Sequence, residues 1–380
     1  MKNAVRLPVV LFLIICLAGK SALAQQSDEL LFYKHIGMSA WNGVYYGLAA
    51  DHIFEIKDEK AAVAIPIITA GTLALIPLFT NETRVITSNQ LLLTGHGQLI
   101  GWAHGGSLAL LINGDNSFDE GKSKLTVGLA ALTSIGLGIT GKQLATKMDW
   151  SEGRVALYRH YGLAGPLTGV STCLIFSEDA RALAGSVLLS GAASYLLADR
   201  VNRWHEFTRG EIRATQALTI MNGALGVCIL ADIGPEDINT PAWIFPAIGL
   251  AGGTALGHMW LKDLNLTPRQ GMTTLYAAGL GALIGEGLAI LIRSDDADFN
   301  AVDYLFPYTA GMLTYSLAVS SLKKKNSIQA CLPEKKSSST WDFALMPQNL
   351  YINNKLGENS NLLNNRYFGM QPIFAASCTF

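Results

Sequence analysis

The feature that most constrains this chain is a pair of glycines, four residues apart, that returns at a fixed distance from a helix-capping residue. Counted from Thr87, glycines fall 14 and 18 residues on, at Gly101 and Gly105; from Ser151 they fall at Gly165 and Gly169. From Thr267 they fall at Gly281 and Gly285, and from Thr208 the same offsets give Asn222 and Gly226. Self-similarity of this kind marks a tandem array in which each unit stacks on its neighbour.

The four capping residues stand 64, 57 and 59 residues apart. Between them runs a second series of apolar segments, beginning near Asp58, Glu120, Glu178, Thr240 and Phe299, each with a central glycine: Gly71, Gly136, Gly191, Gly252 and Gly311. The segments cover residues 39–50, 61–79, 91–112, 125–141, 155–176, 180–198, 214–231, 242–261, 271–292 and 301–322. Most are far longer than the 4–8 residues of a buried strand, so they read as helices. The predicted fold is all-α: a tandem repeat of about five glycine-rich antiparallel helical hairpins, about ten helices in all. A glycine every fourth residue costs a water-exposed helix about 1 kcal/mol per position relative to alanine. The return is close backbone approach between helices, so Gly101, Gly105, Gly165, Gly169, Gly226, Gly281 and Gly285 are read as packing positions.

Residues 1–24 have the pattern of a secretory signal: Lys2 and Arg6, an apolar run over 9–17, and Ala22-Leu23-Ala24 before the cleavage point. The repeat domain then occupies residues 25–325. Residues 326–380 form a flexible polar tail with two extended pieces, 341–352 and 369–380, that can make a β-hairpin. Export makes a Cys331–Cys378 disulfide permissible without establishing it. Cys173 and Cys228 sit where small apolar residues belong and are read as packed in the core.

The connections are of two kinds. Those that follow the capped helices hold 16 Asp/Glu against 6 Lys/Arg, and those that precede them hold 13 Lys/Arg against 7 Asp/Glu. Antiparallel hairpins bring each kind to one edge, one acidic and one basic. Only 15% of residues are charged, and uncharged runs of bilayer length favour a membrane-embedded array in the cell envelope. Excess Lys and Arg would then place the basic edge in the cytoplasm. With an exported N-terminus, that requires the 39–50 helix to lie on the outer surface and leaves nine spans. A soluble periplasmic solenoid is the alternative, with the two edges simply solvated.

The net charge of −1 argues against nucleic acid as a partner, which calls for a basic patch or stripe. Membrane lipid is the expected partner, through Arg154, Arg159, Arg200, Arg203, Trp204 and Arg209 at the basic edge. Glu286, inside an apolar run, is a candidate for proton or cation passage, and equally a hydrated residue near the acidic edge. His96, His104 and His258 are further buried polar candidates; His96 and His104 are eight residues apart, too far along a helix to share one metal ion. The stretch 136–141 matches GxGxxG, but no strand precedes it. Asp295, Asp296 and Asp298 lack the rest of a calcium loop. Nothing in the pattern calls for a cofactor, a metal or a catalytic centre. The function expected is structural or scaffolding, with small-solute or ion-coupled transport, or a periplasmic binding module, as the other readings.

Overall fold

The structure, a computed structural model, describes residues 28–80, 86–119, 121–233, 240–292, 300–331, 340–345 and 374–379. The signal segment 1–24 and the Asp295, Asp296, Asp298 triplet lie outside them. Ten α-helices are present among the described residues: α1 Asp28–Phe54, α2 Glu59–Thr80, α3 Ser88–Asn113, α4 Lys122–Lys147, α5 Glu152–Leu174, α6 Ala180–Trp204, α7 Arg209–Ile233, α8 Ile244–Leu261, α9 Pro268–Ile292 and α10 Ala301–Cys331. They pack in sequential pairs, α1 with α2 through α9 with α10. The chain divides into two compact units, one ending at Lys324 and one beginning at Lys325. Within the second, strands Thr340–Leu345 and Phe374–Thr379 pair antiparallel, Thr340 opposite Thr379 and Leu345 opposite Phe374. The side chains of Cys331 and Cys378 lie outside the described residues.

Side chains close the helix starts. Thr87 accepts from the Gln90 amide at 3.2 Å while Gln90 Oε1 accepts from the Thr87 amide at 3.0 Å. Thr267 and Gln270 repeat the box at 3.3 and 2.8 Å, and Thr208 and Glu211 do so at 3.2 and 2.8 Å. Each box satisfies two amides that a helix start leaves open. The caps also set a common height for the glycines. A methyl group on Gly101 would press on Ser134 Cα and lie 2.6 Å from the Ser134 nitrogen, and one on Gly105 would lie 2.5 Å from Ala130 Cα, both on α4. Gly165 meets Ser194 and Gly169 meets Ser190 on α6; Gly226 meets Phe245 on α8; Gly281 and Gly285 meet Thr314 and Phe306 on α10. All seven glycines face the other arm of their own hairpin. In α1, Gly43 and Gly47 face Ala70 and Pro66 of α2 in the same way.

The odd-numbered helices form one layer. α3 packs on α1 and α5, and α7 on α5 and α9. Each even helix from α4 to α8 fills the groove between its own odd partner and the odd helix of the preceding hairpin: α4 touches α1, α6 touches α3, and α8 touches α5. Hydrogen bonds from Tyr308 to Asn222 and from Tyr315 to the Ala214 carbonyl seat α10 on α7 by the same rule. Among the described residues α2, α4, α6 and α8 make no extended contact with one another. The array is therefore an inner layer of adjoining helices dressed on one side by spaced ones.

One expectation is overturned. The 39–50 segment is the second half of α1, 27 residues long and fully paired with α2, so it does not lie apart on an outer surface. Its first turns lack the capped start of the other odd helices, which hides its true beginning at Asp28. α1 thus starts at the basic edge like every odd helix.

Candidate functional site

Nine residues after their caps, α3 and α5 each carry a histidine, His96 and His160. Equal offset puts both at the same depth, and both are buried. His96 Nε2 is 2.9 Å from the Tyr195 hydroxyl on α6. His160 Nε2 is 3.2 Å from Thr254 Oγ1 on α8, which is 3.0 Å from Thr219 Oγ1 on α7. In each case an odd helix reaches the even helix of the following hairpin. Gly162 makes room for the first pair, since a methyl group there would lie 2.5 Å from both His96 Nε2 and the Tyr195 hydroxyl. From Tyr195 the chain of polar rings continues to Tyr158, at 6.2 Å between centroids, whose hydroxyl donates to Asp199 at 3.0 Å.

His258 lies flat against Tyr161, 5.7 Å between centroids, and 6.3 Å from His160. Both its ring nitrogens are enclosed without a hydrogen-bond partner among the described residues. His104 Nε2 is likewise enclosed and faces Gly191 of α6, where a methyl group would lie 2.6 Å away. Glu286 is half-buried on α9, within electrostatic reach of Cys228 on α7. The four polar residues named from sequence thus occupy separate places, and His160, which the sequence groups with Arg154 and Arg159 as a surface residue of the basic edge, is instead buried and joins His258 to the Thr254–Thr219 pair. Its identical offset from the cap was the available signal.

At the basic edge, Arg154 and Arg203 both grip Asp199, at 3.0 and 2.6 Å, and Arg154 lies over Trp150. Arg209 pairs with Glu152 at 3.2 Å. Arg200 lies over the exposed Trp204 ring. Arg159 has no ion pair or hydrogen bond among the described residues, and its Nε is enclosed. At the acidic edge a cleft of about 510 Å³ opens between Asp51, His52, Glu55, Lys57 and Lys124. Lys124 bonds Glu55 and holds its carboxyl below the usual range, so this exposed pairing is lost as pH falls through that lowered value. Among the described residues no three His, Cys, Asp or Glu side chains converge on a metal position. The 136–141 glycines lie inside α4, with Gly138 against Gln98 and Gly141 against the Leu93 carbonyl.

These features define an all-α protein of stacked hairpins, six of whose helices are long and apolar enough to cross a membrane: α2, α4, α6, α7, α8 and α9. The other three expected spans, α3, α5 and α10, are as long but are not among these six. No family model, curated protein or solved structure matches the chain.

Proposed function

We propose an exported integral membrane protein of the cell envelope with a structural or scaffolding role. One observation carries the reading. The apolar stretch Glu59–Phe79 of α2 has a mean hydropathy of 2.1, yet only 11% of its best window is buried within the protein. An apolar helix left uncovered by its own fold needs lipid or another protein around it, because soluble monomers rarely expose contiguous apolar patches beyond a few hundred Å². Leu132 and Ile139 on α4, Leu189 and Leu196 on α6, and Ile284 and Leu288 on α9 are likewise exposed apolar side chains in helices of this kind. α3 and α5 lie beside α4 and α6 over matching lengths, so they share that depth and turn His96, Ser107 and His160 inward.

Orientation follows from α1. A signal cleaved after Ala24 starts the mature chain on the exported side, and α1 starts at the basic edge, so that edge and Lys323–Lys324 face outward. This opposes the usual excess of Lys and Arg in cytoplasmic loops. We give precedence to the signal because the first segment usually governs insertion. The partnerless His258 beside His160 supports a second reading, ion-coupled transport. The test of the first reading is an alkaline carbonate wash of envelope membranes. The protein is expected to stay in the pellet, and release into the supernatant would move it to the periplasmic solenoid.

A further inference from the structure

Between α1 and α3 lies a cavity of about 420 Å³, inside the ~300–1,000 Å³ range of small-molecule sites. Trp41 and Tyr45 of α1 and Trp102 of α3 wall it. Their rings meet at steep angles: Trp41 and Tyr45 are 5.2 Å apart between centroids at 85°, and Tyr45 and Trp102 are 6.4 Å apart at 54°. A planar ring laid flat on one of them meets the next edge-on. Both arrangements are favourable, because an aromatic face is electron-rich and its edge electron-poor. Met38 and Leu99 supply the apolar remainder of the lining.

The polar part is an amide pair, Asn42 and Gln98. Asn42 Nδ2 donates to the Met38 carbonyl and to Gln98 Oε1, each at 2.8 Å. Both of its hydrogens are thereby used, and since a carbonyl only accepts, the amide cannot be turned round. Asn42 Oδ1 has no donor among the described residues and is not enclosed by protein. The cavity thus offers an acceptor beside its rings. None of the residues lining it is charged, so an ion would give up its hydration there without a counter-charge.

Depth selects among the neutral rings that remain. Trp41 is the middle residue of α1, about 20 Å from either end at 1.5 Å per residue, and Leu99 stands near the middle of α3. A sugar would need a water path to that depth, whereas a ring dissolved in lipid reaches it from the side. Trp41, Tyr45 and Leu99 are all exposed, which keeps the mouth of the cavity open.

We propose that this cavity binds the ring of a lipid-soluble hydroquinone, stacked among Trp41, Tyr45 and Trp102 with one hydroxyl donated to Asn42 Oδ1. The site depends on the lipid-embedded reading, which brings the ligand to mid-depth.

Tritiated decylubiquinol, kept reduced under argon, is bound to the immobilised full chain in a polyoxyethylene detergent. Unlabelled decylubiquinol, its dimethyl ether, 1-decanol and methyl glucoside serve as competitors. Binding is expected to saturate. The dimethyl ether should compete roughly tenfold more weakly than the quinol, the loss of one hydrogen bond, and the other two should not compete. Gly95 also lines the cavity, and a methyl group there would meet only the flexible end of Met38, its sulfur, at 2.9 Å. Gly95→Leu and Trp41→Leu should therefore each lower the affinity roughly tenfold or more, while Trp260→Leu, at an exposed position on α8, should leave it unchanged. If Gly95→Leu does not fold, Trp41→Leu decides. Competition by 1-decanol as strong as by the quinol would overturn the ring, and an equally strong dimethyl ether would overturn the bond to Asn42. Competition by methyl glucoside would assign a sugar instead. Unchanged affinity in Trp41→Leu, or equal loss in Trp260→Leu, would overturn the location. A carbonate-resistant protein that ignores decylubiquinol sinks the site alone, whereas carbonate release with quinol binding intact sinks only the embedded reading.

Discussion

Gly101→Leu is expected to prevent stable assembly of the α3–α4 hairpin, while Gly136→Leu one helix further on is expected to leave it intact. At Gly101 even a methyl group would press on Ser134 Cα and lie 2.6 Å from the Thr133 carbonyl oxygen. These are backbone atoms and cannot swing aside. The helices must separate, and separation also empties the contacts at Gly97, Gly105 and Gly141 along the same seam. Overpacking a tight interior costs roughly 1–3 kcal/mol for a few added methylenes. Four side-chain carbons against rigid backbone exceed that, a large share of the ~5–15 kcal/mol by which domains are stable. Around Gly136 nothing lies within 4 Å, so Gly136→Ala should gain up to about 1 kcal/mol of helix propensity. Thermal unfolding of the two variants in detergent separates them, and equal loss in both would contradict the seam.

Glu211→Ala carries the second large effect. The residue is 1% exposed, and its Oε2 accepts from the Thr208 amide while Oε1 accepts from the Asn265 amide, each at 2.8 Å. One carboxylate therefore caps α7 and pins the 262–266 connection, where Asp263 and Asn265 both hold positive φ. Alanine removes the acceptor of both amides, and hydrogen bonds to a charged group contribute roughly 1.5–3 kcal/mol each. Glu211→Gln keeps one acceptor and should lose less. The loosened connection should also become open to trypsin after Lys262. A midpoint of unfolding unchanged by Glu211→Ala would refute this role.

The capped helices and the glycine seam were legible because both obey a short rule: a cap, then small residues at 14 and 18. The other side of the seam was not. Of the central glycines on even helices, Gly71, Gly136 and Gly252 face open space, while Gly191 meets His104 and Gly311 meets Met221 from preceding hairpins. The surfaces that receive the odd glycines include Ala70, Ala130, Ser134, Ser190, Ser194 and Thr314 but also Pro66, Phe245 and Phe306, a mixture with no pattern to stand out in a sequence. α10 runs on to Cys331 because Lys, Asn and Ser after Leu322 do not stop a helix. The polar interior was half legible. His96 and His160 share an offset, but their partners Tyr195 and Thr254 lie 99 and 94 residues away, a distance that only the stacking rule bridges. Arg159 looked like an ordinary edge residue because its neighbours in sequence are charged, yet its Nε is enclosed without a hydrogen-bond partner among the described residues.

The account stands or falls on what surrounds the uncovered apolar helices. Nitroxide labels at Leu132, Leu196 and Ile284 report this through collisions with dissolved oxygen and with a water-soluble nickel chelate. Embedded helices predict strong oxygen contact and nickel exclusion at all three, reversing at Lys124. Free access of the nickel chelate at those mid-helix positions in native membranes would contradict it.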